Sequence, residues 1–98
     1  MYYQAMPFEW DADRDRQNQM KHGVSFETAQ LAFEDPWRVI RFDKKHSTKR
    51  EKRFSCYGAV GGRILTVRFC RRQGRIRIFG AAYTRYGKEE YETENPSS

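Results

Sequence analysis

Cysteine is scarce in this 98-residue chain: Cys56 and Cys70 are the only two, and their spacing suits neither a metal site nor a redox pair. That excludes a disulfide scaffold and makes a reducing cytoplasm the expected compartment. No apolar run approaches the roughly 18 residues a membrane span needs. No charged-then-apolar leader marks the chain for secretion. A His/Cys ligand set, a glycine-rich phosphate loop and a Ser-His-Asp pattern are all lacking. Asp11, Asp13 and Asp15 imitate a metal cluster, but at a helix start such residues serve the helix dipole. No metal and no other cofactor is expected.

Charge, by contrast, is abundant. Charged residues make up 33% of the chain, against 38% hydrophobic and 15% aromatic, and mean hydropathy is −1.00. One small core under a heavily solvated surface follows, as a single domain over residues 1–98 with 93–98 frayed. The net charge of +6 is unevenly spread. Residues 1–40 carry four Arg/Lys against seven Asp/Glu, a local −3. Residues 41–88 carry fifteen Arg/Lys against Asp43 and Glu51, a local +13, and residues 89–98 hold four Glu and no base. A basic middle between acidic ends is the footprint of a polyanion-binding face, and nucleic acid is the commonest such partner.

The pattern predicts an α+β order. Phe8-Glu9-Trp10 suits a short strand or an anchoring extended segment. Asp11 suits an N-cap for a first helix running through Lys21 and stopping at Gly23, with Ala12 and Met20 as its thin contact stripe. Ser25 suits a second N-cap, and Phe26, Ala29, Ala32 and Phe33 fall at helical spacing as a buried stripe that ends before Pro36. Trp37 to Phe42 alternates as a strand, and Asp43 to Glu51 is a wholly polar loop. Three further strands are expected at Lys52 to Val60, Arg63 to Cys70 and Arg75 to Phe79. Gly61-Gly62 supplies a two-residue turn, and Arg71-Arg72-Gln73-Gly74 a longer basic connection. A short helical turn around Lys88 to Glu92 closes the chain. The expected architecture is two N-terminal helices packed on an antiparallel, mainly meander sheet.

Alternation in the three strands assigns their faces. Phe54, Cys56, Leu65, Val67, Phe69, Ile76 and Ile78 share the covered face, and Cys70 is expected in the core as well. Arg53, Ser55, Tyr57, Thr66, Arg68, Arg75 and Arg77 share the other, with no carboxylate among them. Like charges facing one another destabilise a sheet, so this face calls for an anion, and RNA or DNA phosphate suits it. Metal-free RNA cleavage needs a base at the 2′-hydroxyl, cations on the scissile phosphate and an acid for the 5′-oxygen. Guanidinium groups serve the phosphate because they are planar, permanently charged and bidentate. Histidine is the natural proton-transfer group near neutral pH, and the chain has His22 and His46. Tyr57 or Tyr83 suits stacking on a splayed base.

F-E-W-D at residues 8–11, Asn18, K-H-G-V-S-F at 21–26, Ala29 and F-x-D-P at 33–36 together resemble the signature of the BrnT toxins. So do D-x-x-H-S at 43–47, E-K-R-F at 51–54, G-R-I-L-T-V at 62–67, I-R-I at 76–78 and the final Tyr91-Glu92. The resemblance implies a ribonuclease with a RelE-like fold that blocks translation. It also implies a partner, a BrnA-type DNA-binding antitoxin that neutralises the enzyme in a higher-order complex. Many family members follow the last strand with S-A-R, whereas this chain has Gly80-Ala81-Ala82-Tyr83-Thr84-Arg85. Ala82 therefore stands where arginine is usual, and either Tyr83 and Arg85 substitute or the activity is reduced. The candidate set is His22, Arg53, Arg77 and Tyr83 for the chemistry. Lys21, Lys52, Tyr57, Arg68, Arg75 and Arg85 are the candidates for holding RNA. A non-catalytic module binding nucleic acid or a partner protein on the same scaffold is the competing expectation.

Overall fold

The computed structural model describes residues 7–96. Its elements are β1 (Phe8–Trp10), α1 (Ala12–His22), α2 (Phe26–Ala29), β2 (Val39–Phe42), β3 (Arg53–Val60), β4 (Arg63–Arg72), β5 (Arg75–Tyr83) and α3 (Arg85–Glu94). Asp11 caps α1, its carboxylate accepting from the N–H groups of Asp13 and Arg14, and Gly23 closes the helix at a φ of 71°. Ser25 caps α2 through the Thr28 N–H. Beyond Ala29 the second helix tightens into a 3-10 segment, Gln30–Glu34. Its backbone lies directly on β3: a Cβ on Gly58 would sit 2.2 Å from the carbonyl oxygen of Ala32. Only glycine lets the two backbones approach so closely.

Five strands form one sheet in the order β1-β5-β4-β3-β2. The meander β2 to β5 is antiparallel, as expected, but β1 pairs parallel with β5, so the sheet is mixed. A parallel pair needs a long connection, and here everything from α1 to β4 lies between the two strands. Gly61 and Gly62, at φ 61° and 82°, make the expected tight turn. The second hairpin is equally tight. Arg72 pairs with Arg75 around Gln73 and Gly74, both at positive φ, so Arg71 and Arg72 belong to the strand and not to a longer loop.

The core lies between one sheet face and the α2 region. Phe26, Ala29, Ala32 and Phe33 meet Cys56, Leu65, Val67, Phe69, Ile76 and Ile78, with the Phe33 and Phe69 rings edge to face at 5.0 Å. Cys70 departs from the expected pattern. It is buried, but it pairs across strands with Arg53 and Arg77 and so lies on the opposite face. That opposite face is also partly covered. Thr84 caps α3, and Gly87 packs so tightly that a Cβ there would meet the Thr66 hydroxyl at 2.0 Å and the Tyr57 ring at 3.0 Å. The C-terminal helix is therefore a third layer over one end of the sheet, longer than the expected short turn. Thr93 and Glu94 are helical, and the Asn95 side chain donates to the Trp37 carbonyl at 3.0 Å. Of the tail expected to fray, Ser97 and Ser98 lie outside the described residues.

The expected apolar stripe of α1 is replaced by a polar one. Met20 is 88% exposed, whereas Asn18 is buried. The Asn18 carboxamide donates to the carbonyls of Val24 (2.9 Å) and Ala81 (2.8 Å) and accepts from the Ala81 N–H (3.1 Å). β1 ends opposite Ile78, so among the described residues no strand continues along that edge of β5 at Ala81, and a side chain on α1 completes it.

Candidate functional site

A groove of about 360 Å³ runs between the inner side of α1 and the uncovered part of the sheet's polar face. Arg14, Gln17, Asn18, Lys21 and His22 line it from α1. These positions are spaced by three, four and seven residues, one stripe of a helix. Arg53, Thr66, Arg68 and Phe79 line it from the strands. The buried contact of Asn18 with Ala81 ties the two walls together, with Lys21 and His22 on one and Arg68 on the other.

A bulge in β5 shapes the floor. Ile78 pairs with Phe69 and Gly80 with Arg68, leaving Phe79 as the extra residue. The bulge shifts the alternation, so Gly80 and Ala82 pair with the groove-facing Arg68 and Thr66. These small residues leave the space that the groove occupies. Phe79 supports Arg53, whose guanidinium carbon lies 4.1 Å from the ring centre. The Thr66 and Thr84 hydroxyls are 2.9 Å apart at the groove's α3 end.

The polar face is not free of carboxylates, contrary to the expectation from alternation within the strands. Glu51, just before β3, bridges Arg53 at 2.9 Å and Arg72 at 3.1 Å. The hydrogen bond from Arg53 is the largest of the effects holding the Glu51 carboxyl below its usual range. Glu9 of β1 does the same for Arg75 at 3.7 Å and Arg77 at 3.1 Å. These carboxylates offset the repulsion along one side of the face. Arg14, Lys21 and Arg68 have no ion pair among the described residues. Three cations that line the groove with His22 thus have no carboxylate within ion-pair distance among the described residues.

Four of the expected site residues are brought together: Lys21, His22, Arg53 and Arg68. The others are placed apart. Arg77 shares a cross-strand row with Cys70 and Arg53 but is held by Glu9 outside the groove, and Arg75 lies one row further. Tyr57 is only 4% exposed beneath α3, so it has no open ring face for a base. Tyr83 faces the other side of the sheet, paired with Leu65 and covered by Arg63 at 4.1 Å, because the bulge reverses the alternation. Arg85 is exposed at the start of α3, beside Arg63 and Lys88 in a separate groove. Lys52 is exposed just ahead of β3. Arg14 and Gln17 are site residues that alternation along the strands does not find. Their signal was the polar stripe of α1, visible once Met20 is set aside.

A second groove of about 570 Å³ adjoins the first and shares Thr66, Arg68 and Thr84 with it. Its far wall is the loop after β2, where His46 Nδ1 lies 2.8 Å from Asp43 Oδ2. Burial opposes ionisation of Asp43, but the His46 hydrogen bonds and the Arg68 charge together hold its carboxyl below the usual range. The loop is not slack. Ser47 Oγ donates to the Asp43 carbonyl at 2.6 Å and accepts from the Arg53 N–H at 2.8 Å.

The cysteines are unsuited to nucleophilic work. Burial pushes the Cys56 thiol up to about 12 and raises that of Cys70 as well. Among the described residues no three His, Cys, Asp or Glu side chains gather where a metal ion could be held, and no helix is long and apolar enough to cross a membrane. Residues 10–86 match the family described as ribonuclease toxin, BrnT, of type II toxin-antitoxin system. No match is found among curated proteins.

Proposed function

The chain belongs to the BrnT ribonuclease toxins of type II toxin–antitoxin systems, and on that premise we propose that it cleaves RNA without a metal ion in the groove between α1 and the polar sheet face. The observation that carries this reading is the set of Arg14, Lys21, Arg53 and Arg68 lining one groove with His22, three of the four cations having no carboxylate within ion-pair distance among the described residues. Cations left uncompensated in a groove favour a polyanion there, and the family's substrate supplies one.

Cleavage joins the 2′-oxygen to the adjacent phosphorus as the bond from phosphorus to the 5′-oxygen breaks. Charge builds on the phosphoryl oxygens, and fixed donors aimed at it lower the barrier. Arg68 and Lys21 are free to take that charge. Arg53 already has its plane fixed by Phe79 and Glu51, so it gives up little side-chain freedom on binding. His22 supplies a proton-transfer group at the same phosphate. Arg77 and Tyr83, outside the groove, take no part in this account.

The partner in such a system is an antitoxin protein. Masking of the same basic groove by a BrnA-type antitoxin, in a higher-order complex, is the natural means of control in the cytoplasm. The consequence of escape is blocked translation. The order of one strand, two helices and a four-stranded meander is compatible with a RelE-like scaffold. The test is RNA binding and cleavage by Arg68→Ala beside the wild type. Loss of both in a normally folded variant supports the groove, and unchanged cleavage would remove it as the site.

A further inference from the structure

His22 is one proton-transfer group, but cleavage moves two protons at opposite sides of one phosphorus. The 2′-hydroxyl must lose one as it attacks, and the 5′-oxygen must gain one as it leaves. A second group is needed within reach of the same phosphate cation. Arg68 belongs to both grooves, with His22 in the first and His46 in the second.

His46 is held in one orientation. Asp43 Oδ1 accepts its backbone N–H at 3.2 Å, and Oδ2 lies 2.8 Å from ring Nδ1. An ionised carboxylate only accepts hydrogen bonds, so Nδ1 carries the proton and Nε2 of the neutral ring is left as an acceptor. Asp43 is in turn fixed by its backbone, its N–H donating to the Arg53 carbonyl at 2.8 Å. The dyad is therefore anchored to the strand that carries Arg53. The ring is 45% exposed and open to a substrate. Lys44, Lys45 and Arg68 face the same groove and draw a phosphate to the ring, whereas Arg41, also on its wall, is paired with Glu90 at 3.6 Å and Glu94 at 2.7 Å on α3.

Resting on the ribonuclease reading above, we infer that His46 is the general base of the reaction and Asp43 its positioning residue, with His22 as the acid on the other side of Arg68. His46 Nε2 takes the proton of the 2′-hydroxyl as the 2′-oxygen bonds to phosphorus. The bond to the 5′-oxygen breaks, and the proton from His22 goes to that oxygen. The products are a 2′,3′-cyclic phosphate and a 5′-hydroxyl, with one proton taken and one given.

The experiment compares wild type, His46→Gln and His22→Gln on two single-stranded RNAs, one ordinary and one with a 5′-bridging sulfur at the scissile bond. A thiolate leaves without an acid, so only the base still matters on the sulfur substrate. His46→Gln is expected to be about 100-fold or more slower on both substrates with unchanged RNA affinity and melting temperature. His22→Gln is expected to be slow on the first and restored on the second. Asp43→Asn should lower kcat and alter the pH profile with KM unchanged, and Asp43→Glu should recover part of the loss. Rescue of His46→Gln by sulfur would overturn its role as base, as would cleavage of both RNAs at the wild-type rate. A wild type that cleaves neither RNA would instead remove the ribonuclease reading of the groove, and this assignment with it.

Discussion

The side-chain amide of Asn18 pairs with both backbone polar groups of Ala81, donating to its carbonyl at 2.8 Å and accepting its N–H at 3.1 Å. A residue 63 positions away thereby does what a sixth strand would do, and it holds the His22 end of α1 against the sheet. Asn18→Ala would orphan three buried backbone groups, counting the Val24 carbonyl. Each such group costs about 1–3 kcal/mol when left unpaired, less where water enters. The variant should melt well below the wild type, and whatever remains folded at low temperature should cleave poorly because the two groove walls separate. Urea unfolding together with cleavage per folded molecule checks both effects.

Gly58 should tolerate nothing larger. A methyl group there meets the backbone of Ala32, with its carbonyl oxygen at 2.2 Å and carbonyl carbon at 2.8 Å, and backbone cannot rotate away. Gly58→Ala is expected to destabilise by about 1–3 kcal/mol or more, while leaving the groove chemistry intact in the folded fraction. Denaturant titration reads the first, and activity corrected for that fraction reads the second.

Acid should loosen a junction centred on Asp35. Its carboxylate accepts from the N–H groups of Trp37 and Ala59 and from the Tyr91 hydroxyl at 2.8–2.9 Å, joining the end of the 3-10 segment to β3 and α3. Burial opposes ionisation, but these hydrogen bonds and Arg38 outweigh it and hold the carboxyl below its usual 3.8. The same contact, after burial, pushes Tyr91 up to about 12. A depressed carboxyl contributes stability that is fully present above its unfolded value and lost as pH falls through the folded one. Asp35→Asn should therefore cost about 1–3 kcal/mol at pH 7, and the gap to wild type should shrink once the pH drops below the unfolded value. A stability difference that stays constant down to pH 2 would contradict the ionised junction.

Salt should weaken RNA binding. Each phosphate neutralised on a single strand adds about −0.7 to the slope of log affinity against log salt. Arg53→Ala and Arg68→Ala should each flatten that slope by roughly one such step. Affinity measured across a salt series for the three proteins gives the comparison. Equal slopes would mean that neither guanidinium meets the backbone.

What was legible in the sequence was local. Asp11, Gly23, Ser25 and Gly61-Gly62 each encode a cap or turn in their own conformational preference, and the inward residues of β3 and β4 follow from simple alternation. The hidden parts depend on distant partners. Glu9 and Glu51 reach the arginine face from outside the strands whose alternation defines it. The bulge at Phe79 reverses the pattern within β5, which is why Tyr83 falls on the wrong side for RNA. Tyr57 is lost beneath a helix whose docking depends on Gly87, a residue whose small size has no meaning until Thr66 is opposite it. His46 was visible as a histidine three residues after an aspartate, but only the fold brings that pair to the groove holding Arg68.

The most direct measurement is of the ends left on RNA cleaved by the purified protein in excess chelator. Metal-free attack by the 2′-hydroxyl predicts undiminished cleavage, fragments ending in a 2′,3′-cyclic phosphate and a 5′-hydroxyl, and loss of both in Arg68→Ala. Cleavage that stops in chelator and returns with added magnesium, leaving a 5′-phosphate, would contradict it.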